Sequence, residues 1–129
     1  MNIVIHTSVA EPVYEQIVRQ IHAAVKSGRL RPDTPLPTVR QLAGDLEINR
    51  NTVARAYRIL EEQGVIMTAG RKGTFVRQDA AREVDKVKAT RAERVMRRVI
   101  RSLIGEGLSR QEISEVFTSA LGLEARRGA

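Results

Sequence analysis

Three prolines in six positions, Pro32, Pro35 and Pro37, constrain this chain more than any other feature. A prolyl ring fixes φ, removes the backbone N–H and pushes the preceding residue out of the helical region, so the stretch from Arg31 to Thr38 is predicted to be a rigid extended connector. The segments on either side are periodic. Before the connector, Val13, Ile17, Ile21 and Val25 recur at four-residue steps between Pro12 and Gly28, the pattern of an amphipathic helix. After it, Thr38 is a good N-cap, Gln41 completes a capping box, and Leu42, Ala43 and Leu46 supply the buried side of a short second helix. Asn49 repeats the device for a third helix carrying Val53, Ala56, Tyr57 and Leu60, which stops at Gly64. The opening Ile3-Val4-Ile5 is too short to place.

The second and third helices are joined only by the Glu47-Ile48-Asn49 region, which gives them the dimensions of a helix-turn-helix with the later helix as the recognition helix. Two strand-like runs follow, Val65 to Thr68 and Gly73 to Val76, separated by Ala69-Gly70-Arg71-Lys72, the look of a hairpin with a basic tip. That order is a winged helix-turn-helix, assigned to residues 10–76. Residues 77–129 form a second region. Ala80 to about Ile104 reads as one long helix, broken by Gly105 and Gly107, with Val84, Val87, Val95, Val99 and Leu103 at roughly helical spacing. Ser109 and Glu112 make another capping box for a closing helix lined by Ile113, Val116, Phe117, Ala120 and Leu121, and Glu124 to Ala129 is expected to fray. Two helices leave such stripes with little to bury them against, so packing on a second subunit is expected. The predicted fold is therefore mainly α, an N-terminal winged helix-turn-helix with a small β-hairpin wing followed by a two-helix dimerisation region.

Composition narrows the function. At 129 residues, 42% apolar and 29% charged, the chain is globular in composition but too small for a large preformed catalytic cavity. It has no Cys, which removes disulfides, thiolate chemistry and Cys-ligated zinc and makes the cytoplasm the default location. No apolar run approaches the roughly 18 residues of a membrane span, and the first ten residues do not read as an export signal. His6 and His22 stand apart with no metal-binding cluster around them, and no carboxylate pair, nucleophile motif or phosphate loop is present, so no metal, cofactor or enzymatic activity is expected. The net charge of +7 favours a polyanionic partner without choosing among DNA, RNA and lipid head groups. Residues 1–76 carry ten basic and seven acidic side chains, so the charge of that domain does not by itself establish DNA binding.

The run from Leu36 to Ala43, LPTVRQLA, then Leu46 to Leu60, LEINRNTVARAYRIL, then Gly64 and the Gly73-Thr-Phe-Val76 segment strongly resembles the DNA-binding domain of GntR-type bacterial transcription regulators. The likeness covers roughly Pro12 to Val76 with its pieces in order. A two-helix tail in place of a long effector domain resembles the small YtrA-type branch of that family. The resemblance implies a tail that builds the dimer and a repressor of a nearby operon, often one encoding an ABC transporter. Three positions depart from the family pattern: Asp33 stands where the connector commonly has Gly, Ala54 where some branches have a DNA-contacting Arg, and Arg71 where the wing often has Gly.

On this reading double-stranded operator DNA is the partner, bound by a homodimer. Arg50, Asn51 and Thr52 occupy the first turn of the recognition helix, which enters a major groove first. Arg can donate twice to guanine, Asn can pair with adenine or orient on phosphate, and Thr can touch a thymine methyl or a phosphate; capping and solvation of the helix start is the alternative role for all three. The family likeness assigns DNA contact to Arg40 as well, against a surface or salt-bridge role. Arg55 and Arg58 share one sector of the helix, and Arg55 is the candidate for a phosphate, whereas Tyr57 belongs under the helix with its hydroxyl at the rim. Arg71 and Lys72, with Gly73 allowing the tight turn, can reach phosphate or the minor groove. Val84, Val87, Val95, Val99, Leu103, Ile113, Val116 and Phe117 are the expected dimer contacts. Arg91, Arg94, Arg97, Arg98 and Arg101 read as a solvated helix face, with an anion site, a DNA flank or an acidic partner left open. A small-molecule effector is also left open, with no pocket defined for it. Two competing functions remain: non-specific or architectural nucleic-acid binding, and a winged-helix protein-interaction module.

Overall fold

The structure is a computed structural model that describes residues 1–127. In chain order it contains α1 (Val13–Ser27), α2 (Val39–Leu46), α3 (Arg50–Glu62), β1 (Ile66–Thr68), β2 (Thr74–Val76), α4 (Ala80–Gly105) and α5 (Arg110–Arg127), with a single 3-10 turn at Gly70–Lys72. The chain divides into two compact units, one of residues Met1–Lys88 and one beginning at Ala89.

In the first unit the apolar stripe of α1 is buried as its four-residue spacing dictates, and α1 ends where Gly28 takes a left-handed conformation at φ 82°. The two start signals at α2 and α3 are met atom for atom. Thr38 Oγ1 accepts from the Gln41 N–H at 3.0 Å while Gln41 Oε1 accepts from the Thr38 N–H at 2.9 Å, and Asn49 Oδ1 accepts from the Asn51 N–H at 2.8 Å. Caps of this kind are each worth about 1 kcal/mol. The turn between α2 and α3 is closed by Glu47, left-handed at φ 56°, whose N–H bonds back to the last turn of α2. Helix α3 is the hub, packing on α1, α2 and β1 through Val53, Ala56, Tyr57 and Leu60, all buried.

Strands β1 and β2 pair antiparallel, Ile66 opposite Val76 and Thr68 opposite Thr74. The proline connector does more than extend. The N–H groups it retains at Asp33 and Leu36 donate to the carbonyls of Val76 and Thr74, both at 2.8 Å, and the Thr34 carbonyl accepts from Val76, so it lies along β2 like an irregular edge strand. Asp33 adopts φ 66°, the left-handed conformation that glycine takes most easily and Asp tolerates, and its carboxylate accepts a hydrogen bond from the Gln78 amide.

The opening residues, unplaced from sequence, are tied to α1 by two glutamines. Gln20 exchanges hydrogen bonds with both backbone groups of Val4, and Gln16 does so with His6 while also donating to the Glu11 carbonyl. Gln16 is 0% exposed, a buried polar side chain made tolerable by three partners, and Ile3 and Ile5 pack against the core beside it.

Helix α4 starts within this unit. Ala80 and Val84 are core residues, so Val84 is not part of the stripe expected for dimer contacts; it is 0% exposed against the first unit's own interior. The second unit comprises the rest of α4 and α5. Ser109 and Glu112 form the expected capping box, and the Ser109 backbone N–H and hydroxyl hold the Glu112 carboxyl below the usual carboxylate range. Instead of fraying from Glu124, α5 continues to Arg127; Arg126 and Arg127 place positive charge at its carbonyl end. The remainder of the expected tail, Gly128 and Ala129, lies outside the described residues.

Candidate nucleic-acid interface

The first unit presents its basic residues on elements held rigid from beneath. Tyr57 is 4% exposed and its hydroxyl donates to the Pro37 carbonyl at 2.7 Å, tying α3 to the connector that leads into α2. Burial pushes this phenol well above its ordinary pKa, so it stays protonated and a donor. With Val53, Ala56, Tyr57 and Leu60 turned inward, helical geometry turns Asn51, Arg55 and Arg58 outward, and all three are exposed. Arg50 and Asn51 are exposed in the first turn of α3, Thr52 is half-buried beside them, and Arg40 is exposed near the start of α2. Ala54, half-buried, adds no charge here.

The wing is also anchored. Thr68 Oγ1 on β1 donates to Glu61 Oε1 of α3 at 2.6 Å and lies 2.9 Å from Thr74 Oγ1 on β2, linking both strands to the recognition helix through one hydroxyl pair. This link had no sequence signal, because Thr68 and Glu61 belong to different elements with different periods. At the tip Arg71 and Lys72 are exposed in the 3-10 turn, and Gly73 follows at φ 76° and ψ −152°, a conformation essentially confined to glycine. Among the described residues, Arg40, Arg50, Arg55, Arg58, Arg71 and Lys72 have no carboxylate within 4.0 Å, so their charge is available to an external anion. Arg55 has a different neighbour. Its guanidinium carbon lies over the Tyr14 ring of α1, 3.8 Å from the centroid, a contact no sequence pattern signalled.

His22 is half-buried and its Nε2 lies 2.7 Å from Gln63 Oε1, inside the α1–α3 packing rather than at any site. Burial lowers its pKa, against the Gln63 contact and with the positive charge of Lys88. No group of three or more His, Asp or Glu that could hold a metal occurs among the described residues. None of the described helices is long and apolar enough to cross a membrane.

In the second unit Val95, Val99, Val116 and Phe117 are between 46 and 51% exposed, and Leu103 and Ile113 are half-buried, as is Val87 just before the boundary between units. Of the arginine row on α4, Arg97 pairs with Glu93 at 2.8 Å, and Arg91, Arg94, Arg98 and Arg101 are exposed.

An exposed basic recognition helix, a capped helix ahead of it and an anchored basic wing define a winged helix-turn-helix DNA-binding protein. A family model described as bacterial regulatory proteins, gntR family, matches residues 13–76. The repressor YtrA of Bacillus subtilis is 32% identical over 104 residues, covering 81% of this chain and 80% of that protein. This chain belongs to the GntR family, and its likeness to YtrA, over 104 residues, extends beyond the DNA-binding domain. The HTH-type transcriptional regulator Rv1152 of Mycobacterium tuberculosis is 50% identical over 66 residues, which is 51% of this chain and 54% of that regulator's length. A solved transcriptional regulator from Oenococcus oeni, 35% identical, superposes over 92% of this chain and 98% of its own with a TM-score of 0.66. The DNA-binding domain of AraR in complex with its operator ORX1, 25% identical, matches 59% of this chain and 95% of its own at a TM-score of 0.51. These relatives are transcription regulators, not enzymes, and GntR-type DNA-binding domains bind operator DNA.

Proposed function

We propose that this chain is a sequence-specific transcriptional repressor that binds an inverted-repeat operator as a homodimer. Residues 10–76 read the DNA and residues 77–129 bring two copies together. In this reading Arg50, Asn51 and Thr52 contact base edges or adjacent phosphates, Arg40 and Arg55 contact phosphate, and Arg71, Lys72 and Gly73 lie along the neighbouring backbone or minor groove. The observation that carries the proposal is the α3 face on which Asn51, Arg55 and Arg58 are exposed while the opposite face is locked by Tyr57 and its neighbours. A helix so fixed can transmit base identity as binding energy.

Val87, Val95, Val99, Leu103, Ile113, Val116 and Phe117 supply the dimer contacts; their exposure in a single chain supports this, since burying such stripes is what association rewards. A dimer places two recognition helices about one DNA turn apart and so calls for a two-fold-related operator. Occupancy of a promoter then excludes polymerase. In this reading the regulated unit is a transporter operon, as the resemblance to the YtrA-type branch implies, and the cytoplasm is where the protein meets its DNA. A small-molecule effector would act by favouring one arrangement of the two copies over another.

Sedimentation velocity on the purified chain, alone and with DNA from upstream of its own operon, tests the assembly. The expected result is a dimer without DNA and two protomers per bound duplex, with Val99→Glu sedimenting as a monomer and binding at least tenfold more weakly. A monomeric wild type that binds as tightly as Val99→Glu would overturn it.

A further inference from the structure

The geometry points to Tyr14 as a positioning residue that prepares Arg55 for its DNA contact, an assignment that rests on the operator-binding reading above. Tyr14 lies in the first turn of α1, half-buried and packed against the core, so packing limits the orientation of its ring. Arg55 is exposed on α3 and sets its guanidinium carbon over that ring at 3.8 Å from the centroid. The Tyr14 hydroxyl donates elsewhere, to Glu15 Oε1 at 3.1 Å, leaving the aromatic face as the contact with Arg55.

The chemistry of this contact suits a phosphate-binding arginine. A guanidinium fixed by a carboxylate spends N–H donors and charge on that partner, whereas one fixed by an aromatic face keeps its in-plane donors for another acceptor. No carboxylate lies within 4.0 Å of Arg55 among the described residues. The ring therefore restrains a long flexible side chain before DNA arrives, and the entropy of ordering it is not lost again on binding. Arg58, one turn further along the same face, has no ring contact among the described residues and serves as the internal comparison.

The test is a double-mutant cycle in fluorescence anisotropy, with a duplex recovered from a random-sequence pool by the wild-type protein. Tyr14→Ala is expected to weaken binding about two- to fivefold, the size of an exposed cation–π contact. Tyr14→Phe, which keeps the ring, should bind like wild type. In an Arg55→Ala background Tyr14→Ala should have no further effect, while in an Arg58→Ala background it should keep its full effect. Tyr14→Leu, which preserves packing without the ring, should behave as Tyr14→Ala if that variant melts early. NMR of the free protein should show the Arg55 side-chain protons shifted upfield by the ring in wild type and Tyr14→Phe but not in Tyr14→Leu.

Equal losses from Tyr14→Phe and Tyr14→Ala would overturn the assignment in favour of a direct role for the hydroxyl. Equal losses with and without Arg55 would overturn it in favour of a structural role for α1. If the pool yields no enriched duplex although the upfield shift is present, the operator reading fails and this assignment with it. Enrichment without coupling sinks the assignment alone.

Discussion

Replacing Gln16 by Met removes the one buried side chain that ties the N-terminal arm to α1 while keeping its length. Three hydrogen bonds are lost, from the His6 N–H at 2.9 Å and to the carbonyls of His6 and Glu11 at 2.8 and 2.9 Å. At a net worth of about 1 kcal/mol each they sum to about 3 kcal/mol. The more apolar Met recovers about 1 kcal/mol because the site is fully enclosed. The expected destabilisation is about 2 kcal/mol, and for a unit of this size each kcal/mol lowers Tm by about 4–8 °C. A urea titration followed by circular dichroism should therefore show a lower midpoint with an unchanged slope, and the His6 amide should exchange with solvent faster than in the wild type. A loss below about 0.5 kcal/mol with His6 still protected would mean that Ile3, Ile5 and the Gln20–Val4 hydrogen bonds hold the arm without Gln16, and the account of Gln16 would be wrong.

Two pH effects follow from buried groups. Tyr57 has a pKa raised by burial, so its contribution to stability is full below the ordinary phenol value of about 10 and is lost as pH rises through the folded value. Melts from pH 8 to 11 should show an alkaline loss that Tyr57→Phe lacks, with the variant also less stable at pH 8 by about 1 kcal/mol for the missing bond to Pro37. His22 is shifted the other way, so its contribution is present above about pH 6.5 and disappears as pH falls through the lower folded value. Urea midpoints at pH 7.5 and 5 should differ more for wild type than for His22→Gln, and equal differences would contradict the placement of this ring. At the wing, Arg71→Ala and Lys72→Ala should each reduce the salt dependence of DNA binding by about one counterion, read as the slope of log affinity against log salt; unchanged slopes would remove the wing from the interface.

Features that act through local chemistry could be read directly from the chain. The capping pairs Thr38–Gln41 and Ser109–Glu112, the Asn49 cap and the inward place of Tyr57 follow from spacing alone, because each depends on residues within one helical turn. The hairpin was legible for the same reason. Val84 was not, because the α4 stripe keeps one helical period while its first residues are buried in one unit and its later ones are exposed in the next; periodicity identifies a face but not what covers it. Gln16 was hidden because its partners lie in an arm without regular structure, and the Tyr14–Arg55 stack because it joins two helices far apart in sequence. Asp33 shows the converse: a departure from the family's usual glycine keeps the left-handed backbone and adds a carboxylate contact to Gln78.

The central claim is that the α3 face reads a two-fold-related sequence, and its most direct test is selection of random-sequence duplexes by the purified protein at near-physiological salt, followed by sequencing of the bound pool. The account predicts enrichment of an inverted repeat whose half-sites are centred about one helical turn apart, and loss of that enrichment for Arg50→Ala. Tight binding of the pool with no enriched sequence would contradict it and identify an architectural DNA-binding protein, while absence of binding would contradict it in favour of a protein partner.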